Sequence, residues 1–264
     1  MANVNAKDDN TRLGPPSKFL LMAEMRAMFE LATGLTLMPV LLTAPRGDGH
    51  PVLVLPGLMA NDASTQFLRQ YLTWLGYEVH GWELGTNFNG FYRMRDKVHQ
   101  RLAEIHANSG RKVSLIGWSL GGVFARDLAI KLPHAVRQVI TLGSPFKYNP
   151  GASNAARIYE VTSGETKDTV KKEDVDAIGG DMPVPATSVF TRTDGIVNWK
   201  TCLLNPSTTA ENIEVIGASH SGLGVNPPVL WAVADRLRQK EGEFSPFDTT
   251  GPFFLAYSRQ PLDF

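Results

Sequence analysis

The chain has a single cysteine, Cys202, in 264 residues, so it can close no intramolecular disulfide and assemble no thiolate zinc cluster. It has no excess of charge. Twenty-six Lys and Arg balance 26 Asp and Glu, which removes the broad basic field that drives nonspecific nucleic-acid binding, and no nucleic-acid partner is expected. It also lacks an apolar run long enough to span a bilayer. Glu24, Arg26 and Glu30 interrupt the stretch 19–44, Pro39 would break a helix there, and the charge-free piece 31–45 falls short of the roughly 20 residues a span needs. The first eighteen residues carry Lys7, Asp8, Asp9, Arg12 and Lys18 and no apolar segment of the secretory type, so a cytoplasmic location is expected. No internal repeat is present, and no His/Asp/Glu cluster stands at ligand spacing, so neither a metal nor a cofactor is expected.

What is present is apolar material, 43% of the chain, enough to fill a sizeable core in one domain with an insertion. Residues 1–49 are expected to form a helix docked on the core followed by an extended segment. Met22, Met25 and Met28 offer a second outcome, a surface-seeking or self-associating helix, with membrane-surface contact through residues 19–44 or a homo-oligomer as its consequence. From residue 50 onward, short apolar runs alternate with helical periodicity. Strands are predicted at 51–55 (PVLVL), 78–82 (EVHGW), 112–116, 136–142 (VRQVITL), 187–191 (TSVFT) and 213–216. Helices fall between them: one opening at Asn61-Asp62, one carrying Met94, Val98, Leu102 and Ile105, one from Leu120 closed by Pro133, and one opened by Asn226-Pro227-Pro228. This alternation predicts an α/β fold with a mostly parallel central sheet flanked by helices over residues 50–240. Residues 145–186, poor in apolar periodicity and rich in charge, read as a small cap insertion whose acids form a solvated face. Residues 241–264 form an aromatic-rich tail, expected to pack back on the domain, with docking on a partner subunit as the other outcome.

The chemistry concentrates at Gly117-Trp118-Ser119-Leu120-Gly121-Gly122, between a strand and a helix. A nucleophilic serine must project from a sharp strand-to-helix turn, and the residues two before and two after it must be small for the two backbones to pass. The helix that starts there also points its N-terminal amides at any oxyanion formed on the serine. A serine hydroxyl needs a base to take its proton, and the base needs a carboxylate to orient it. With the chain order Ser, then acid, then His, only His134 and His220 qualify. His134 follows Pro133 at a helix end and reads as structural; His220 sits in a small-residue loop after the last strand and is the candidate base. Asp194, ahead of Gly195 at the end of a strand, is the candidate acid, with an ordinary turn aspartate as the other reading. Two backbone N–H groups should hold the oxyanion. Leu120 is one; Leu58, after Pro56-Gly57, is the other, with Met59 second. Leu58, Met59, Trp118, Leu223 and Val225 are expected to border an apolar acyl pocket.

With the Gly117–Gly121 turn, Asp194 and His220 in this order, the chain resembles the α/β-hydrolase superfamily over residues 50 to 240. The segment Leu142-Gly143-Ser144-Pro145-Phe146 resembles the matching part of bacterial triacylglycerol lipases and esterases. The resemblance implies attack by Ser119 on the carbonyl of a small-molecule ester with an apolar acyl group. It further implies that His220 acts as base and then acid, that Asp194 orients it, and that an acyl-enzyme is hydrolysed by water. An acyltransferase or thioesterase would use the same triad, and a noncatalytic binding protein could retain the fold. The chain departs from the family in carrying Pro56-Gly57 where many members have His-Gly. Nothing before residue 50 supplies the first two strands of an eight-stranded sheet, so a shorter sheet is expected.

Overall fold

The computed structural model describes residues 13–258. Six strands, β1 (Pro51–Leu55), β2 (Glu78–Gly81), β3 (Val113–Trp118), β4 (Val136–Leu142), β5 (Ala186–Phe190) and β6 (Ala210–Glu214), form one sheet in the order β2-β1-β3-β4-β5-β6. Every neighbouring pair is parallel. The strands read as continuous apolar runs because both faces are covered. Val52, Val54, Ile116 and Ile140 join the core on one face, and Leu53, Leu55, Leu115 and Val139 join the core on the other, as alternation along a strand requires.

The helices take sides accordingly. On the first face lie α3 (Met38–Leu41), α4 (Gln66–Trp74) and α9 (Pro227–Leu237), which contribute Leu41, Tyr71 and Val233. On the second lie α5 (Phe91–Ser109) and α6 (Leu120–Lys131), with Leu102 and Phe124. The insertion joins β4 to β5 and holds α7 (Ala156–Ser163) and α8 (Lys172–Gly179).

Several boundaries differ from the sequence expectations for local reasons. The last strand runs over Ala210–Glu214 rather than 213–216, because edge residues that look unlike a strand have partners elsewhere. The Glu211 carboxylate accepts from Arg236, at 2.5 Å, and from the N–H of Phe247. The Asn212 side chain pairs with both backbone groups of Leu204. Asp62 opens no helix; its carboxylate accepts from the N–H groups of Trp82 and Glu83, both at 3.0 Å, and α4 begins at Gln66. In the insertion, Asp174 is buried rather than solvated. Arg95 binds it at 3.0 Å and also binds Asp127 at 2.5 Å.

Ahead of the sheet come α1 (Lys18–Ala23), a 3-10 turn (Glu24–Arg26), α2 (Ala27–Thr36) and α3. The expected extended segment is partly helical, since Pro39 stands in the first turn of α3, where its missing N–H costs nothing. Leu41 and Gly34 dock inward, whereas Met22, Met25 and Met28 are 76%, 77% and 74% exposed. No described helix is long and apolar enough to cross a membrane. The aromatic tail packs back on α9. Tyr257 donates its hydroxyl to the Pro228 carbonyl at 2.7 Å and meets Phe247 edge to face, while Phe253 meets Trp231. Phe264 lies outside the described residues.

Just ahead of β1, His50 lies fully buried between Asp48 (Nδ1 to Oδ1, 2.5 Å) and Ser114 of β3 (Nε2 to Oγ, 2.7 Å). The chain Ser, His, Asp is complete here too, but Ser114 is sealed in the core and no substrate reaches it. Burial pushes the His50 imidazole down to about 4 despite the pull of Asp48, and the charge of Arg137 adds to the depression. A folded-state value below the unfolded one gives stability that is full above about pH 6.5 and is lost as the pH falls toward 4, to the extent of roughly 3 kcal/mol. Denaturant unfolding at pH 7 and pH 4.5 should show this loss in the wild type and a much smaller one in His50→Gln; equal losses in the two proteins would contradict it.

Candidate active site

Ser119 is the single residue between β3 and α6, with φ 53° and ψ −121°, a left-handed φ that a side chain adopts only when its surroundings force it. Its N–H donates to Leu142 of β4 at 2.9 Å, and its carbonyl accepts from Gly122 at 2.9 Å. The flanking glycines leave no room for a side chain. A Cβ on Gly117 would stand 2.3 Å from the Cα of Gly122, and one on Gly121 would stand 2.1 Å from the Leu55 carbonyl oxygen. From the other side, the loop after β1 brings Gly57 against the serine, where a Cβ would lie 3.1 Å from that of Ser119.

Asp194 follows β5, and His220 follows β6. Asp194 is 3% exposed and His220 6%. One carboxylate oxygen of Asp194 accepts from the N–H groups of Ile196 and Val197, both at 2.8 Å; the other meets His220 Nδ1 at 2.6 Å. Both sequence readings of Asp194, turn former and histidine partner, are therefore realised by different oxygens of one side chain. With Nδ1 donating to the carboxylate, Nε2 is the free acceptor of the ring. Burial alone would lower the imidazole, but the charge and hydrogen bond of Asp194, with a further contribution from Glu24, raise it above the ordinary histidine value. No hydrogen bond joins Ser119 Oγ to His220 among the described residues, and contacts of this kind commonly tighten only around a bound substrate.

The remaining expectations divide. Leu120 N–H opens α6 beside the serine, and Leu58 shares a cavity with it. Neither N–H has a protein acceptor among the described residues. Met59 does not fit, since its N–H is taken by the Asn87 carbonyl at 2.7 Å. A cavity of about 160 Å³ opens at Ser119, walled by Leu58, Leu120, Val123, Phe146 and Ile178 and roofed by α7 and α8 of the insertion. Trp118 is not part of its wall. Its indole N–H donates to the His220 carbonyl at 3.0 Å and its ring covers Gly224, so it tethers the histidine loop instead. Leu223 is core, packed on Gly143, and the Val225 carbonyl faces Gly34 of α2. His134 stands beside His106, ring centres 6.0 Å apart.

The sequence reading missed Glu24, Arg26 and Glu30, all of which turn inward onto the loops of Asp194 and His220. Their isolation in an apolar stretch was the available signal. It served only to exclude a membrane span.

A six-stranded parallel sheet with a strained serine after β3, an acid after β5 and a histidine after β6 defines the α/β-hydrolase fold. Comparisons with known proteins agree. The model of the palmitoyl protein thioesterase family matches residues 51–177. The pimeloyl-[acyl-carrier protein] methyl ester esterase of Aliivibrio salmonicida (strain LFI1238) is 30% identical over 99 residues, a match covering 37% of each chain. Among solved structures, Aspergillus fumigatus lipase B aligns with a TM-score of 0.56 at 18% identity, over 73% of this chain and 53% of that one. The mature form of Bacillus licheniformis lipase BlEst2 aligns with a TM-score of 0.52 at 17% identity, over 72% and 94%. The chain thus spans little more than a third of the curated relative and about half of the fungal lipase. The likeness to these structures shows the α/β-hydrolase fold, and the family model and the curated esterase resemble this chain over less than half of its length.

Gly143, at φ 55°, lets Asp194 and His220 meet: a Cβ there would stand 2.6 Å from Leu223, 3.1 Å from His220 Nδ1 and 3.3 Å from Asp194 Oδ2. Gly143→Ala should therefore cost about 1–3 kcal/mol of stability and lower kcat in the same protein. A variant with wild-type melting temperature and wild-type kcat would contradict this placement.

Proposed function

We propose that this protein is a serine hydrolase that cleaves carboxylic esters with an apolar acyl group through an acyl-enzyme on Ser119. The observation that carries this reading is the buried Asp194–His220 contact of 2.6 Å at the same sheet edge as the positive-φ Ser119. His220 Nε2 takes the Ser119 proton as Oγ attacks the carbonyl carbon. The oxyanion accepts from the N–H groups of Leu58 and Leu120, at the positive end of α6. Collapse expels the alcohol, which leaves with the proton from His220, and water activated by the same imidazole releases the acid. Asp194 stays ionised and holds the ring. The apolar wall of Leu58, Leu120, Val123, Phe146 and Ile178 supports an acyl chain as the group bound beside the serine.

A thioester is the second substrate class, favoured by the match to the palmitoyl protein thioesterase family over residues 51–177; the same steps then expel a thiol. Turnover of p-nitrophenyl acyl esters and of the matching acyl thioesters separates the two by their kcat/KM ratio.

Ser119→Ala should reduce turnover of p-nitrophenyl butyrate by at least about 10³-fold with the melting temperature retained, and wild-type turnover would place the nucleophile elsewhere. The base works only when neutral, and its protonated form is stabilised in the fold. Wild-type kcat/KM should therefore rise with pH through one ionisation centred above about 6.5; a profile flat from pH 5.5 to 8.5 would count against His220.

A further inference from the structure

We propose that Glu24 is a positioning residue for the acid–base pair: one carboxylate from the N-terminal helices locks the loops of Asp194 and His220 together and places a negative charge behind the imidazole. The proposal rests on Asp194 and His220 acting as proposed above.

Glu24 is buried in the 3-10 turn between α1 and α2. Its Oε1 accepts from Gly195 N–H at 2.8 Å and from His220 N–H at 3.0 Å. Its Oε2 accepts from Ser221 N–H at 2.8 Å. Gly195 directly follows the acid, so a single side chain joins the acid loop to the base itself. The two neighbouring charges act on the same loops. Arg26 donates to the carbonyls of Thr193 at 2.6 Å and Ala218 at 2.7 Å, and Glu30 accepts from Ser219 N–H at 2.9 Å. The fit is close, since a Cβ on Gly195 would stand 2.3 Å from the Leu20 carbonyl oxygen.

Three backbone N–H groups converging on one site need an acceptor with two oxygens and no hydrogens, which an ionised carboxylate provides and an amide does not. Burial works against ionisation, but the N–H groups of Ser221, Gly195 and His220 outweigh it and hold the carboxyl below the ordinary glutamate value. The charge also contributes to raising His220, and so favours the imidazolium that forms when the serine attacks. Glu24 itself does not touch the cavity beside Ser119. Its removal should therefore alter proton transfer without altering acyl binding.

The test compares full-length wild type, Glu24→Gln, Glu24→Asp and Ser119→Ala on p-nitrophenyl butyrate from pH 5 to 9. Glu24→Gln should lower kcat by about 10- to 100-fold, leave KM within about twofold, and move the acid limb of kcat/KM to lower pH. Glu24→Asp keeps the charge but reaches one methylene less far, so it should keep the limb and still lose kcat. A folded Glu24→Gln with wild-type kcat and an unmoved limb would overturn the proposal. If the Gln variant does not fold, wild-type kcat in a folded Glu24→Asp would do the same. Activity retained in Ser119→Ala, by contrast, would sink the nucleophile assignment beneath the proposal, so the two failures are distinguishable.

Discussion

The turn between β3 and α6 has one conformation open to it, and the rest of the site is arranged around that restriction. A Cβ on Gly117 would collide with the backbone of Gly122, one on Gly121 with that of Leu55 and one on Gly122 with the Ser144 side chain, and Ser119 is driven to a φ of 53°. Strain of that kind persists only when its surroundings over-determine it. Here the N–H of Ser119 is fixed to β4, its carbonyl to Gly122, and the loop after β1 passes its Cβ with Gly57, where a further Cβ would stand 3.1 Å away. The outcome is a hydroxyl held at the C-terminal edge of a parallel sheet, the edge where open α/β sheets place their ligand sites.

The other parts reach that edge on separate loops, and each loop is tied to something rigid. Asp194 uses one oxygen to shape its own turn and the other to hold His220. The backbone of His220 is fastened at its carbonyl by Trp118, the residue before the serine, and at its N–H by Glu24. The N-terminal helices are therefore hydrogen-bonded to both the Asp194 and the His220 loops. The insertion between β4 and β5 contributes the roof of the cavity through α7 and α8.

Much of this was legible in the sequence, because the signals were local. Apolar runs bounded by turn residues mark the five strands β1 to β5, and the small residues around Ser119 are required by the turn itself. Asp194 and His220, reached by elimination along the chain, stand 2.6 Å apart in the fold. What escaped were partnerships made across the fold. Strand β6 hides behind Glu211 and Asn212, whose polar groups are satisfied by Arg236 and Leu204. Asp62 looks like a helix cap but binds the chain twenty residues on. Trp118 looks like pocket lining, yet it ties down a loop about a hundred residues away. Glu24 is the extreme case. Its partners are backbone N–H groups 171 to 197 residues further along, and a backbone group carries no sequence signature.

The central claim is that Ser119 is a nucleophile activated by His220, and covalent labelling with a fluorophosphonate tests it most directly. Peptide mass spectrometry of the labelled wild type should place the phosphonyl group on Ser119, with labelling greatly slowed in a folded His220→Ala variant. A folded wild type that takes no label, or one labelled at a different serine, would contradict the account.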